Sequence, residues 1–353
     1  MANQYKEFRV SNDAMDDPEE LQRRIQDEGY LFFKKLQDPD KLLELRREML
    51  TTIQEGGWLV AGTDPMDGIA DISRQCTEGN SEYTDVYHEV YKLESFHRSG
   101  HWPEVLDTME KVIGKPVLPH PQKIARIWFP KYTEHTTPIH QDFVHFQGNF
   151  QTYTCWAPVG DCPIELGGLA LIPGSHKVGK VLDHHFSLGA GAQKIYADEI
   201  EGEWHTTDYE IGDSLIFLAL TIHQALPNYT EDKLRVSLDN RYHALGDPIA
   251  EHMLQPHLNR FDELRWEDVY KDWKSDDLKY YWEDLEHPIV PRDLSFGEKV
   301  FAEALDLARE GDAHAILHLN RIIKNDPTSE AADQAREALQ GVESKVDSEA
   351  AAG

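Results

Sequence analysis

Cysteine is scarce in this sequence: the chain of 353 residues has three cysteines, Cys76, Cys155 and Cys162. Their number is odd and their spacing is unlike that of zinc-binding cysteine pairs, which argues against a disulfide scaffold and a structural zinc site. Cys155 lies within an apolar run, so we expect it to be a small core residue. A packed core must therefore stabilise the fold, and 40% hydrophobic residues are enough to form one.

Long apolar segments are also missing. The longest strongly apolar run is Leu215–Leu220, which is too short to cross a bilayer and is typical of a buried strand. The first ten residues, MANQYKEFRV, are polar and do not resemble a signal peptide. Together with the few cysteines, these absences predict a cytoplasmic protein.

Basic residues are outnumbered by acidic ones. The chain has 35 Lys and Arg against 64 Asp and Glu, which gives a formal net charge of -29. A surface of this charge repels the phosphates of nucleic acids and anionic membranes, so neither is an expected partner. The charge does not identify a substrate, and the oligomeric state stays open.

Helical patterns dominate the first third of the chain. The predicted helices cover 16–28, about 38–55 and 104–113, and Tyr30–Phe33 is predicted to form a buried strand. Residues 61–84 are rich in Gly, Asp, Ser and Thr and are predicted to form a long loop. Loops of this length often have a function, for example as lids.

Between about residues 123 and 242 the pattern changes to short apolar runs separated by turn residues. The predicted strands are 124–129, 153–159, 169–172, 214–222 and 234–242. Regularly spaced short strands are typical of a sandwich or a jelly-roll barrel. We therefore predict a mainly β fold with flanking helices, in which the preceding helices pack on the outer face of one sheet.

The last part of the chain is first aromatic and then helical. Residues 260–285 carry three tryptophans and are predicted to pack back onto the barrel. Helices are predicted over 296–309, from Asp312 and from Ser329. We divide the chain into a domain of residues 1–290 and a helical C-terminal extension of residues 291–353. A simple tail is favoured over a partner-binding repeat, because one repeat unit cannot form a solenoid.

The triplet His140-Gln141-Asp142 is the first candidate site. On a strand, His140 and Asp142 would point to the same side and Gln141 to the other. A histidine from a distant strand would complete a 2-His-1-carboxylate triad, which suits non-haem iron(II) and leaves coordination positions open. His223, at the end of the buried run SLIFLALTI, is the candidate. An HxD triplet alone is weak, so a structural His–Asp pair and a core histidine remain alternatives.

A second candidate site lies on the alternating segment RVSLDNRY. Arg235 and Ser237 share one face of this predicted strand, opposite Val236 and Leu238. A guanidinium that faces into a barrel needs an anion, and the distal carboxylate of 2-oxoglutarate fits because a planar fork grips it through two hydrogen bonds. Ser237 can add a third. Pairing of Arg235 with Asp239 or another acid is the alternative.

Five stretches of the chain match one known family in their order and spacing. They are TTPIHQD (136–142), TYTCWAPVGD (152–161), GGLALIPGSHK (167–177), IGDSLIFLALTIHQALPN (211–228) and LRVSLDNRY (234–242). Over roughly residues 20–245 the sequence resembles the phytanoyl-CoA dioxygenase family of iron(II)- and 2-oxoglutarate-dependent oxygenases. Each stretch alone is weak, and the linked set is specific.

The resemblance implies a double-stranded β-helix core, a jelly-roll of the cupin type. The iron ligands that it implies are His140, Asp142 and His223, the co-substrate anchor is Arg235, and Trp156 matches a position that lines the co-substrate pocket. It further implies that iron(II), 2-oxoglutarate and O2 oxidise a small organic substrate, with release of succinate and CO2. Halogenases on this scaffold lack the carboxylate ligand, so Asp142 favours hydroxylation or a related oxidation.

Two other functions stay open at this point. A cupin-like metalloenzyme that does not use 2-oxoglutarate would keep the triad and would not need Arg235. A non-catalytic binding protein on the same barrel would use the helical tail as an interaction surface. The substrate itself is not identified by the sequence.

The residues that border the substrate are predicted only by position. His145 and Phe146 follow the triad and would line the substrate space if the strand continues. The insertion 183–210 is punctuated by glycine at one end and could form a lid. Its histidines are predicted to lie at the surface; they are His184, His185 and His205.

Overall fold

The computed structural model of the chain describes residues 5–196, 200–259 and 263–352, with side chains up to residue 341. The helices are α1 (Pro18–Glu28), α2 (Pro39–Glu55), α3 (Ser81–Tyr91), α4 (Glu94–Ser99), α5 (Pro103–Ile113), α6 (Phe143–Phe146), α7 (Trp266–Tyr270), α8 (Ser295–Arg309), α9 (Ala313–Asn325) and α10 (Glu330–Ala352). The strands are β1 (Tyr30–Phe33), β2 (Val117–Pro119), β3 (Ile124–Trp128), β4 (His140–Gln141), β5 (Tyr153–Pro158), β6 (Leu169–Leu171), β7 (His185–Phe186), β8 (Gln193–Lys194), β9 (Ser214–Leu218), β10 (Ile222–Ala225), β11 (Arg235–Ala244), β12 (Ile249–Ala250) and β13 (Ile289–Val290).

The larger sheet has the strand order β1-β9-β5-β11-β2, and β3 also pairs with β11. Its neighbouring strands are antiparallel. Arg235 of β11 lies opposite Trp128 of β3, and Asp239 lies opposite Trp156 of β5. Because β11 is buried along its whole length, one of its faces points into the barrel and the other into a layer packed outside it.

The smaller sheet has the order β4-β10-β6. Its side chains and those of the larger sheet line one cavity between the two sheets. Two facing sheets that enclose such a cavity are the arrangement of a double-stranded β-helix, or jelly-roll, with helices around it. The predicted fold class is confirmed.

The predicted strand 214–222 is two strands. The chain leaves the larger sheet after Leu218 and joins the smaller sheet at Ile222. At the corner between them, the hydroxyl of Thr221 donates a hydrogen bond to the carbonyl of Gly29 at 2.8 Å. Every residue of the run is buried, so its hydropathy does not reveal where the chain changes sheet.

Helices α1 and α5 cover the outer face of the larger sheet, as predicted. The buried side chains of this layer include Leu21, Ile25, Leu31, Val105, Met109, Ile216 and Tyr242. Each fully buried aliphatic side chain stabilises the fold by about 1.5–3 kcal/mol. This layer fixes the sheet from outside.

Helix α1 begins and ends where its sequence predicts. The Asp17 carboxylate accepts the N–H of Glu20 at 3.1 Å, and Pro18 occupies the first turn. Gly29 ends the helix at φ 77°, in the left-handed region. A Cβ at this position would lie 2.3 Å from Nδ1 of His176, so glycine also makes room for that histidine.

Helices α3 and α4 lie in a stretch where the sequence patterns predict no helix. Tyr83, Tyr87 and Tyr91 of α3 recur every four residues and contact one another, with ring centroids 5.7 and 6.0 Å apart. Their aromatic rings have modest helix propensity, so packing of this stripe against the core overrides the local preference. Before α3, residues 61–80 form short turns, for example those capped by the Asp64 and Asp71 side chains.

The aromatic segment after residue 260 packs onto the barrel from outside, as predicted; residues 260–262 lie outside the described part. Trp266, Trp273 and Trp282 join the apolar cluster that contains Val236 and Leu238 of β11. The outer face of β11 is therefore covered by this segment and its inner face is left for the site.

Helices α8, α9 and α10 pack against one another around an apolar core. This bundle also contacts the β7–β8 hairpin through Phe186 and Ala192, and Glu303 of α8 accepts the N–H of Phe186 at 2.8 Å. The division of the chain at residue 290 stays a prediction. Within the described residues, no helix combines the length and the apolar character that a membrane span requires.

Candidate active site

His140 and His223 lie directly opposite each other on the neighbouring strands β4 and β10. Nδ1 of His140 is 2.8 Å from the carbonyl oxygen of Pro138, and Nδ1 of His223 is 2.9 Å from that of Thr221. A carbonyl can only accept, so each Nδ1 donates, and in a neutral imidazole Nε2 then keeps its lone pair. Burial, followed by the neighbouring His140, lowers the pKa of His223 to about 3, so this imidazole is neutral.

Asp142 brings a carboxylate to the same point. Its Oδ1 lies 3.3 Å from Nε2 of His140 and 3.7 Å from Nε2 of His223. The candidate ligand atoms of the three residues all lie within 4.8 Å of one another, and all three residues are buried. The distance between His140 and Asp142 also fits the structural His–Asp pair that the sequence left as an alternative. Two lone pairs and a carboxylate around one point fit a metal cation.

The local structure around Asp142 differs from the prediction. Strand β4 ends at Gln141, and Asp142 has helical dihedral angles as the N-cap residue of α6. The predicted convergence with His140 is nevertheless correct, and Gln141 faces away. The Gln141 side chain donates to the carbonyls of Lys180 and Leu220 and accepts the N–H of Leu182. The back of the triplet is thereby fixed to residues 180–182, just before the insertion, and to the corner after β9.

The second carboxylate oxygen of Asp142 is held from behind. The Thr154 hydroxyl donates to Oδ2 at 2.7 Å, and a guanidinium nitrogen of Arg241 lies 3.6 Å away. Burial by itself would raise the pKa of Asp142, but the charge of Arg241 and the contacts with the two histidines outweigh it and hold the pKa well below its usual range. Asp142 is therefore ionised and presents Oδ1 to the histidines.

Thr154→Val tests this support, because valine keeps the shape and removes the hydroxyl. We expect iron affinity and succinate release to fall by about 10- to 100-fold, the usual effect of losing a hydrogen bond to a metal ligand. Thr152→Val is the matched control, since the Thr152 hydroxyl is buried without a hydrogen-bond partner. Equal behaviour of the two variants, measured by iron titration and succinate release, would contradict a role for Thr154.

Arg235 is a buried cation without a counter-ion. It is 1% exposed, its Nη1 donates to the Ser237 hydroxyl at 2.6 Å, and its Nε has no hydrogen-bond partner. Among the described residues, no carboxylate lies within 4.0 Å of its guanidinium. Burial lowers the pKa of Arg235 to about 10, so it stays charged at neutral pH. Such a group requires an anion from outside the chain.

Trp156 completes this anion site. Its indole N–H donates to the Ser237 hydroxyl oxygen at 3.1 Å. That oxygen accepts from both Trp156 and Arg235, so the hydroxyl proton of Ser237 is available to a bound acceptor. The three predicted co-substrate residues therefore form one group of donors, as a carboxylate requires.

One cavity of about 350 Å³ joins this group to the triad. His140, Asp142 and His223 line it together with Arg235 and Trp156. Its remaining wall is half apolar and half polar. The apolar residues are Trp128, Leu169, Phe217 and Ala225, and the polar ones are Arg126, Thr137, Thr154 and Asp239. A small dianion in this cavity would reach the triad with one end and Arg235 with the other.

The inner face of β11 carries more of the site than the sequence reading recognised. Asp239 and Arg241 follow Arg235 and Ser237 on the same face, because side chains alternate along a strand. Asp239 accepts a hydrogen bond from Arg126 at 3.1 Å and lies 3.8 Å from Arg241. The alternative pairing of Arg235 with Asp239 is therefore not supported. Continued alternation along RVSLDNRY would have revealed both residues.

His145 and Phe146 do border a second cleft, although the strand does not continue to them. They belong to α6, and the His145 ring lies 5.3 Å from that of His140. Phe146 packs beneath Arg241, with its ring centroid 5.0 Å from the guanidinium carbon. The second cleft, of about 1210 Å³, shares Arg126 and Thr137 with the first cavity, so the two adjoin.

The insertion 183–210 departs from its prediction at one histidine. His184 is buried, and its Nε2 accepts the backbone N–H of Gln141 at 3.2 Å, so the predicted surface position was wrong. His185 and His205 are partly exposed. Residues 197–199 of the predicted lid lie outside the described part of the chain. The start of the insertion thus supports the strand of His140 from behind.

Comparison with known proteins places this site in context. The family model described as phytanoyl-CoA dioxygenase (PhyH) matches residues 25–237. The 1-deoxypentalenic acid 11-beta-hydroxylase of Streptomyces exfoliatus is 27% identical over 240 residues, which are 64% of this chain and 81% of that protein. Its namesake from Streptomyces arenae is 25% identical over 261 residues, 68% of this chain and 86% of that protein. The apo crystal structure of EctD from S. alaskensis has a TM-score of 0.48 and 17% identity, and covers 71% of this chain and 84% of that one.

Proposed function

This chain belongs to the phytanoyl-CoA dioxygenase family of iron(II)- and 2-oxoglutarate-dependent oxygenases, and from that membership we propose how its residues divide the work. The enzyme uses iron(II), 2-oxoglutarate and O2 to oxidise a small organic substrate. The proposed iron ligands are His140, Asp142 and His223. The proposed 2-oxoglutarate-binding residues are Arg235, Ser237 and Trp156.

The observation that carries these roles is that the triad and the buried, unpaired Arg235 line the same cavity. The donor set of the triad, two imidazoles and one carboxylate, fits iron(II) and leaves positions open. A cupin-like metalloenzyme without 2-oxoglutarate would leave a buried guanidinium uncompensated, and a binding protein would not need the triad. The geometry therefore favours the oxygenase over both alternatives.

Bound iron(II) and 2-oxoglutarate supply the activation of O2, with release of succinate and CO2. The chain supplies positions. Thr154 and Arg241 hold Oδ2 of Asp142 and thereby turn Oδ1 toward the histidines. Arg235 and Ser237 would hold the far carboxylate of the co-substrate. The apolar residues of the wall, Trp128, Leu169, Phe217 and Ala225, help to exclude water, and no general acid or base is required of the protein.

The first test of these roles is anaerobic. Adding iron(II) and then 2-oxoglutarate to the metal-free protein is expected to produce the weak visible charge-transfer band of the chelate, because the triad and Arg235 line the same cavity. A band that forms supports the proposed roles, and substrates can then be screened by succinate release. Iron binding without a band would indicate a metal centre of different chemistry, and absence of iron binding would indicate a binding protein.

The nature of the substrate is proposed from the relatives. Two hydroxylases that match most of their own length here are named for 1-deoxypentalenic acid, a carboxylic acid. We propose that this enzyme also hydroxylates a small, largely apolar acid. The net charge of -29 argues against a nucleic-acid substrate. The unpaired and buried cysteines Cys76, Cys155 and Cys162 support a reducing compartment, and we propose the cytoplasm.

A further inference from the structure

The substrate cleft extends beyond the family-matched part of the chain. A third cleft, of about 1090 Å³, shares Glu78, His145 and Arg292 with the second one, so the two are continuous. His145 lies at this junction, next to the iron ligand His140. A molecule that starts at the iron can therefore continue past His145 into the third cleft.

Helices α8 and α9 form one wall of the third cleft. Val300 and Phe301 of α8 and Ile322 of α9 line it. Leu188 and Ala190 of the insertion also line it and add apolar surface. This part of the cleft suits the apolar body of a substrate, and its walls come from segments far apart in the sequence.

The polar groups of the third cleft are dominated by two arginines. Arg292 and Arg321 line it, and among the described residues neither has a carboxylate within 4.0 Å. Glu78 also lines the cleft, but its carboxylate is bound to Arg126 at 2.6 Å. In a chain with so many acidic residues, two arginines without a carboxylate in one cleft are unexpected on charge grounds alone.

Arg321 is held in place by neutral groups. Its Nη2 lies 3.4 and 3.5 Å from the two ring nitrogens of His135, and its Nε is buried without a hydrogen-bond partner. Burial and then the charge of Arg321 lower the pKa of His135 to about 4, so this imidazole is neutral. The Tyr132 ring in turn packs edge to face against His135, with ring centroids 4.1 Å apart. The guanidinium is therefore oriented by its neighbours while its charge stays uncompensated.

The carboxylates near the proposed iron site already have arginine partners, so they are not available to Arg292 and Arg321. Glu78 and Asp239 are paired with Arg126, and Asp142 and Asp239 lie beside Arg241. Arg235 is assigned to the carboxylate of 2-oxoglutarate. Arg292 is exposed to solvent. Arg321 is only partly exposed and, among the described residues, has no carboxylate within 4.0 Å, so a bound anion would compensate its charge.

We propose that Arg321, assisted by Arg292 at the rim, binds the anionic group of the substrate, a carboxylate, while α8 and α9 enclose its apolar body. This inference rests on the proposed function and assigns the recognition of the acid to the C-terminal helices, outside the matched residues 25–237. The carbon that is oxidised lies at the iron end of the cleft, and the carboxylate lies at the far end.

The test compares acids with their neutral analogues on the protein loaded anaerobically with iron(II) and 2-oxoglutarate. The probes are decanoate and 1-adamantanecarboxylate, each beside its primary amide, with binding measured by calorimetry. In the unmodified protein we expect at least one acid to bind more tightly than its amide by about tenfold or more, since only the carboxylate forms a charge-assisted hydrogen bond with the guanidinium. Arg321→Gln is expected to remove this preference and Arg321→Lys to retain part of it.

Arg309→Gln is the matched control, because Arg309 lies on α8, outside the residues that line the cleft, and pairs with Asp306. It is expected to keep the preference for acids. The inference would be overturned if Arg321→Gln still preferred the acids. It would also be overturned if the unmodified protein bound acids and amides equally, or bound neither acid. The charge-transfer band separates the two proposals. If the band forms in the unmodified protein and in every variant, but the unmodified protein shows no preference for acids, only this inference is overturned. If the unmodified protein forms no band, the proposed function is overturned and this inference with it.

Discussion

Replacing His140 and Asp142 together by alanine is expected to abolish iron binding and to lower turnover on the order of a thousandfold or more, because two of the three ligands are lost. The fold should survive, since these side chains face the cavity and the two sheets are held by packing outside it. Iron titration and succinate release measure the loss, and thermal unfolding checks the fold.

A control for this double variant is available in the chain itself. Asp183 and His185 have the same residue types at the same spacing, and the carboxylate lies 3.6 Å from the imidazole, but both are partly or fully exposed and outside the cavity. Replacing these two by alanine is expected to leave iron binding unchanged. Turnover that persisted in the His140 and Asp142 variant would contradict the proposed metal centre.

Replacing Arg235 by methionine is expected to weaken 2-oxoglutarate binding by about a hundredfold, because a buried guanidinium contributes two charge-assisted hydrogen bonds of roughly 1.5–3 kcal/mol each, which are not fully additive. Without co-substrate, the variant should be as stable as the parent or more so, since the buried charge there lacks a counter-ion. Iron affinity should not change.

Two measurements decide this prediction. Titration of the charge-transfer band gives the 2-oxoglutarate affinity, and thermal unfolding with and without 2-oxoglutarate gives the stabilisation by the ligand, which should disappear in the variant. Ser237→Ala is a milder variant, in which the affinity for 2-oxoglutarate should fall by about tenfold, because one hydroxyl donor is removed. An unchanged affinity in Arg235→Met would rule out Arg235 as the anchor.

The sequence predicted the triad and Arg235 because these residues recur at linked positions in short motifs. The actual backbone at Asp142 was not predictable from the strand pattern, since the chain turns into α6 directly after Gln141. The three side chains still meet as predicted, although Asp142 does not lie on a strand. Strand β10 brings His223 opposite His140, and the Asp142 carboxylate needs only to reach the point between them. Ligand identity was thus easier to predict than local conformation.

Other features depend on contacts that no local pattern records. The corner after Leu218 lies inside an unbroken apolar run, and Thr154 acts on Asp142 only because β5 crosses beside it. The third cleft is formed by the insertion and by α8 and α9, segments more than a hundred residues apart in the chain. Hydropathy and turn residues predict elements, but they do not predict which distant surfaces meet.

Strand β11 has a practical consequence for shortened forms of this protein. The family match ends at residue 237, whereas the strand continues to Ala244. A polypeptide truncated at the end of the match would retain Arg235 and lose Arg241, and it would expose the unpaired edges of the neighbouring strands, which favours aggregation. The matched residues therefore end inside a strand of the larger sheet, and a fragment made to stay soluble has to extend beyond residue 237.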